Sequence, residues 1–253
     1  MSKVLVEDNG PARTITLNRP EKRNALDSEM LGQLAAAFRE EPSQDLRVVV
    51  VRANGASFCS GLDLKERNER GPQAGASPIE EVLHLVEHYP LPVVAVVQGD
   101  AIAGGNELAL HCDLVVASEE AQFGMSLAQI GLAPTWFLAK KLLEVAGPVG
   151  AREVLFLGDP LSARRMHELG AISRVASPEE LEVVARSVIE RLAANAPLSL
   201  RAMKALLVRE MAFRDGISHD DVDALVDQAR MSDDAREGIR ARMEKRAPAF
   251  KGE

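Results

Sequence analysis

Two segments share one design, in which a run of β-branched residues delivers a small, glycine-bearing loop that then enters a helix. The first is residues 48–51 followed by Ser57-Phe58-Cys59-Ser60-Gly61-Leu62-Asp63-Leu64. The second is residues 93–97 followed by Gln98-Gly99-Asp100-Ala101-Ile102-Ala103-Gly104-Gly105-Asn106-Glu107. Small residues let backbone N–H groups approach a ligand closely, and a helix start adds partial positive charge. Two such donors can hold one developing oxyanion. The same glycines can also do no more than turn the chain. Glu107 opens a helix whose next residues, Leu108, Ala109 and Leu110, are apolar. A carboxylate there is favoured by the helix end yet partly desolvated, conditions that suit proton transfer, although capping its own helix calls for the same residue type.

Other reactive side chains have plainer readings beside the chemical ones. Cys59 precedes the first loop's glycine but has no neighbouring His relay, and a free Cys is commonly buried packing. His84 and His88 are spaced i,i+4 without an obvious third ligand, which favours a surface or core pair over a metal site. Asp63 can cap the following helix or touch a ligand; Asp100 is a reserve acid, and Asp113 caps or bends the chain. Trp136, the single tryptophan, either lines a pocket or packs. Lys22 and Arg23 are adjacent bases of the kind that are usually solvated. No metal ligand cluster is predicted.

The elements that must position these residues are legible in outline. Val4-Leu5-Val6 and Thr14-Ile15-Thr16-Leu17 flank Asn9-Gly10-Pro11 and read as a hairpin. Asp27 or Ser28 can cap a helix through Met30, Leu31, Leu34, Ala37 and Phe38 that ends near Pro42. The uninterrupted apolar strands at 48–51 and 93–97 suit a sheet covered on both faces, so a layered or coiled α/β core is expected. Helical periodicity also marks 79–88, 106–111 and 138–145. Beyond Pro178 the chain reads as wholly helical, with breakers at Asn195-Ala196-Pro197 and Asp215-Gly216. Residues 66–78, rich in Gly, Pro, Asn and charge, read as a mobile insertion.

Composition bounds the partners. Thirty-eight acids against 30 bases give a net charge of −8, and only nine aromatic residues occur, so a nucleic-acid surface has neither the charge nor the stacking platforms it needs. The longest apolar run, 91–97, contains Pro92 and falls far short of the roughly 18 residues of a membrane span. No secretory h-region precedes Glu7 and Asp8, and two cysteines make no disulfide framework, which together predict a cytoplasmic protein.

The ordered set Asn18-Arg19-Pro20, Asn24-Ala25-Leu26, Phe58-Cys59-Ser60-Gly61-Leu62-Asp63-Leu64, Gly104-Gly105-Asn106-Glu107-Leu108-Ala109, Cys112-Asp113, Ala121-Gln122-Phe123-Gly124 and the terminal Arg246-Ala247-Pro248-Ala249-Phe250-Lys251-Gly252 resembles the enoyl-CoA hydratase/isomerase, or crotonase, family nearly end to end. The resemblance implies an α/β spiral of ββα turns over residues 1–195 that binds acyl-CoA. It further implies a helical region over 196–253 that assembles homotrimers, often stacked as hexamers. It implies an oxyanion hole made by the backbone N–H groups of Ser60 and Gly104, with Glu107 as the catalytic carboxylate. The ligand would run along Ser60, Gly61, Leu62 and Asp63, with adenine and phosphates near Lys22, Arg23 and Ala25. Lys251 of a neighbouring subunit would reach a CoA phosphate, and Trp136 would line the acyl pocket. Coenzyme A enters as part of the substrate, so no separate cofactor is implied.

One departure from that pattern bears on the reaction. The family's second glutamate stands three residues after the glycine of the Phe-Gly pair, and that position is Leu127. Leucine neither holds water nor carries a proton. Downstream, Thr135-Trp136-Phe137 occupies the place of a glycine-rich turn, and Gln129 or Thr135 could hold a water or serve as loop and cap residues. The expectation is an enoyl-CoA hydratase lacking one of its two usual acids. An isomerase, another enolate reaction or a non-catalytic acyl-CoA binder stand as the alternatives.

Overall fold

The computed structural model describes residues 2–71 and 75–252. In chain order the elements are β1 (Val4–Asn9), β2 (Ala12–Leu17), α1 (Ser28–Arg39), β3 (Val48–Ala53), α2 (Leu64–Arg70), α3 (Glu80–His88), β4 (Val93–Val97), β5 (Ala101–Ile102), α4 (Gly104–Leu110), β6 (Leu114–Ser118), β7 (Gln122–Gly124), α5 (Trp136–Arg152), β8 (Leu161–Ser162), α6 (Ala163–Glu168), β9 (Arg174–Ala176), α7 (Leu181–Ala194), α8 (Pro197–Met211), α9 (Asp220–Met231) and α10 (Asp233–Glu244). The hairpin β1–β2 is antiparallel, with Val4 opposite Leu17, and β3, β4, β6 and β9 add in parallel to give the order β1-β2-β3-β4-β6-β9. A second sheet of β5, β7 and β8 stands apart from the first.

The valine runs are apolar on every residue because the main sheet is covered twice. Val49, Val51, Val93, Ala95 and Val97 point into the principal core with Met30, Leu34, Leu83 and Leu108. Their alternating neighbours Val48, Val50, Val94, Val96 and Val116 pack beneath Leu181 and Ala185 of α7. This is the two-residue alternation of a strand with no solvent face. Asp27 caps α1, its carboxylate accepting from the Met30 N–H at 2.9 Å.

The segment expected to be a mobile insertion is helical as far as Arg70. Asp63 accepts from the N–H groups of Lys65 and Glu66, and Glu66 pairs with Arg70 and bonds Ser28, so α2 has both a cap and an anchor onto α1. Within the same segment Pro72, Gln73 and Ala74 lie outside the described residues.

The chain beyond Pro178 is helical as expected, with a further break at Ser232 that separates α9 from α10, and these helices do not stand away from the core. Lys204 of α8 donates to the carbonyls of Val86 and Leu91 and to Asp113. Helix α10 lies so close to the loop after β7 that a Cβ on Gly238 would sit 2.4 Å from the Ile130 carbonyl carbon. Among the described residues no helix is long and apolar enough to cross a membrane.

Candidate active site

The first loop is held from beneath by a polar clamp. Asn24, in the left-handed region at φ 53 and fully buried, accepts from the Arg19 N–H at 2.8 Å and donates to the carbonyls of Asn54 and Ser57, both at 2.9 Å. Asn tolerates that backbone region better than most residues. Arg19 reaches across to Ala25 O and to Asp63 Oδ2 at 2.8 Å. Burial opposes ionisation of Asp63, but the Arg19 guanidinium and the two cap N–H groups hold its carboxyl below the usual range. Asp63 is therefore a cap and an ion-pair partner. Gly61 turns the chain at φ 87.

The two loops are laced together. Cys59 N–H donates to Asp100 O, and Ile102 N–H donates to Cys59 O at 2.9 Å. At Gly105 an added Cβ would lie 2.2 Å from Cys59 O, so only glycine allows this approach; at Gly61 it would lie 3.0 Å from Gly104 N. The structure corrects the expected donor pair at this point. Ser60 N–H is already bound to Arg23 O at 3.1 Å, so it cannot serve an incoming oxygen. Among the described residues the N–H groups of Leu62 and Gly104 have no acceptor, and both residues line one cavity. The free pair is Leu62 with Gly104, because the chain reverses at Gly61.

Glu107 is fully buried in the first turn of α4, and neither carboxylate oxygen has a hydrogen-bond partner among the described residues. It caps nothing. Burial pushes its pKa well above 4.5; the Lys141 charge pulls it back down and Glu80 pushes it further up. Lys141 is itself held by Glu87 and by Glu144 at 3.0 Å. One turn on, the imidazole of His111 faces the Glu107 carbonyl through Nδ1 at 2.8 Å. A carbonyl can only accept, so Nδ1 carries the proton. Burial lowers the His111 pKa to about 3, with Lys141 adding to the effect, and the ring is neutral.

The cavity above Glu107 has a volume of about 820 Å³ including its open mouth. Ser60, Leu62, Gly104, Glu107 and Leu127 line it, as do Ile79, Ile130, Leu132 and Thr135. Thr135 caps α5 and donates through Oγ1 to Glu80 Oε1 at 2.7 Å, whereas Gln129 turns away to Leu157 O and Asp159. Arg67 of α2, Arg230 of α9 and Arg242 of α10 complete the wall.

The sequence profile of the enoyl-CoA hydratase/isomerase family matches residues 8–253. The chain belongs to that family. It is similar to (E)-benzylidenesuccinyl-CoA hydratase of Thauera aromatica, at 34% identity over 98% of this chain and 99% of the relative. Among solved structures it resembles an enoyl-CoA hydratase/isomerase from Xanthobacter autotrophicus Py2, with TM-score 0.83 and 32% identity over 99% of each chain. A methylmalonyl-CoA decarboxylase complexed with 2S-carboxypropyl-CoA superimposes with TM-score 0.92 at 24% identity, covering 100% of this chain and 99% of that one. That last likeness concerns the fold alone.

Within this hydratase/isomerase fold, several predicted residues lie apart from the cavity. Lys22 and Arg23 are exposed on the turn beneath the first loop, and Ala25 uses its carbonyl to hold Arg19. Lys251 lies in the tail, where its N–H donates to Asp234. Trp136 does not line the Glu107 cavity, a correction; as the first residue of α5 it lies flat on His219, ring centroids 4.5 Å apart, in an adjoining cleft. Cys59 is buried and its thiol is pushed up to about 12 by burial, so it is packing. His84 and His88 stack on each other. Sequence reasoning missed the three arginines and Glu80. Arg67 lies one helical turn past Asp63, a spacing that carried a signal, but Arg230 and Arg242 reach the cavity only through the return of the C-terminal helices.

Proposed function

We propose that this protein acts on an acyl-CoA thioester and adds water to a 2-enoyl-CoA. The observation that carries the reading is the meeting, in one cavity, of two unpartnered N–H groups, Leu62 and Gly104, with an unpartnered buried carboxyl, Glu107. The thioester carbonyl oxygen accepts from both N–H groups, which stabilise the enolate that forms when the β-carbon is attacked. Glu107, once ionised, takes a proton from the attacking water and returns it to the α-carbon, so the water's oxygen and both of its hydrogens end up in the product. Burial raises the Glu107 pKa above the ordinary carboxylate value, which makes the ionised form a stronger base for the first half of that transfer. Lys22 and Arg23 are assigned to the CoA phosphates, Ala25 to the adenine and Lys251 to a neighbour's ligand. The exposed apolar residues Leu198, Leu206 and Leu207 of α8, with Phe213 and Leu225, are assigned to contacts within a homotrimer or hexamer.

A second reading is double-bond isomerisation. Glu107 is the one carboxylate among the described residues lining this cavity, where Leu127 lines the wall as well, and moving a proton between two carbons needs a single acid–base group. Mixing the protein with crotonyl-CoA and longer 2- and 3-enoyl-CoAs separates the readings. Loss of the conjugated thioester absorbance with a product heavier by one water supports hydration; an unchanged mass supports isomerisation. A full panel bound without turnover would leave an acyl-CoA binder and sink both.

A further inference from the structure

We infer that Arg67, Arg230 and Arg242 form a carboxylate site in the Glu107 cavity, so that the acyl group of the thioester carries a second, free carboxylate. The inference rests on the thioester reading above and names its substrate class. The three guanidinium-bearing side chains come from three separate helices and line one cavity with Leu62, Gly104 and Glu107. Arg230 is 7% exposed, and its one hydrogen bond among the described residues goes to the carbonyl of Gly75. Arg242 donates to Ser126 Oγ at 3.1 Å, and the Arg67 guanidinium has no partner among the described residues. None of the three forms an ion pair there. The acids within a few residues of them in sequence pair elsewhere: Asp63 with Arg19, Glu66 with Arg70, Glu69 with Lys65, Asp233 with Arg236, Glu237 with Arg240 and Arg246, and Glu244 with Arg246, while Asp227 accepts from the Gly75 N–H.

Such an arrangement is costly without an anion. Burial, followed by repulsion from Arg230, lowers the pKa of Arg67 below its ordinary value, which means the two cations weaken each other where water is already partly excluded. Glu107 does not compensate them, because the charges acting on it are Lys141 and Glu80. The planar guanidinium fork matches a carboxylate with two parallel hydrogen bonds, and Arg cannot relieve the strain by losing its proton as Lys can. Leu64, Ile79, Ile130 and Leu132 give the cavity wall an apolar stretch, which suits the methylenes between thioester and carboxylate.

Saturated thioesters test this without any reaction. Titration calorimetry on the full chain would compare succinyl-CoA with butyryl-CoA, glutaryl-CoA with valeryl-CoA and adipyl-CoA with hexanoyl-CoA, with CoA alone as a further ligand. At least one carboxylated ester is expected to bind roughly ten- to a hundredfold more tightly than its uncharged match. Arg230→Gln or Arg67→Gln is expected to abolish that preference, and Arg230→Lys to keep part of it. Equal affinities in every pair for the unaltered protein overturn the inference, even should a variant fail to fold. So does a loss of affinity for CoA alone as large as the loss for the carboxylated ester, since the arginines would then serve CoA phosphates. These ligands have no double bond to hydrate, so an absence of hydratase activity leaves the affinity ratio readable, and an absent preference leaves hydration untouched.

Discussion

Replacing Glu107 by Gln is expected to make the protein both far slower and, as pH rises, progressively more stable than the original. In the unfolded chain the carboxyl ionises near its ordinary 4.5, whereas in the fold burial keeps it protonated well above that value. Between the two values the unfolded chain binds fewer protons than the folded one. The stability associated with this group is therefore fully present below 4.5 and is lost as pH rises towards the folded pKa, by about 1.4 kcal/mol per pH unit. Glutamine keeps the shape and does not titrate, so the stability difference between variant and original should widen by that amount per unit. In a chain of this size, that corresponds to a melting temperature gained by the variant of roughly 3–6 °C per unit. Comparing slopes rather than single values cancels the fixed cost of burying an amide. Urea denaturation or calorimetry from about pH 5 to about pH 7 reads the slope, and the rate of enoyl-CoA turnover should fall by about 10²–10⁴-fold. A stability difference that stays constant across that range would refute the claim that Glu107 ionises in a desolvated site. An unchanged rate would remove it from the chemistry.

The glycines of the second loop should separate by severity. Gly105→Ala places a methyl 2.2 Å from a backbone carbonyl oxygen, whereas Gly104→Ala meets the movable end of Ile79 at 3.0 Å; melting and turnover should show the first far worse, and equal effects would contradict the close approach of the loops. Leu127→Glu adds a second carboxylate to the Glu107 cavity, so it should accelerate hydration of crotonyl-CoA and shift the acidic limb of the pH–rate profile upward by like-charge repulsion. A profile that does not move would place Leu127 too far from Glu107 to interact.

Much of the scaffold was legible because it depends on local pattern. The valine runs, the Asp27 cap, the hairpin turn and the apolar stripe of α1 each express a period or a cap that neighbouring residues enforce. Both glycine loops and Glu107 could be read for the same reason, since their role depends on a strand, a turn and a helix start that are contiguous in the chain. The Asp63 cap was legible for the same local reason, but the anchoring of α2 through Glu66 onto Ser28 was not, because Ser28 is far away in sequence.

The sequence by itself determined the family, the two loops and Glu107 at the helix start, all features carried by residues adjacent along the chain. Only the tertiary structure decided which N–H groups are free, because Ser60 is occupied by Arg23 from a separate turn while Leu62 is not. It alone removed Trp136 from the cavity, through stacking on His219 of a distant segment. It alone brought Arg230 and Arg242 to the Glu107 cavity, because α9 bonds Gly75 and α10 folds back onto the loop after β7. Hydrogen-bond occupancy and charge pairing are properties of contacts between remote segments, and no spacing within one segment encodes them.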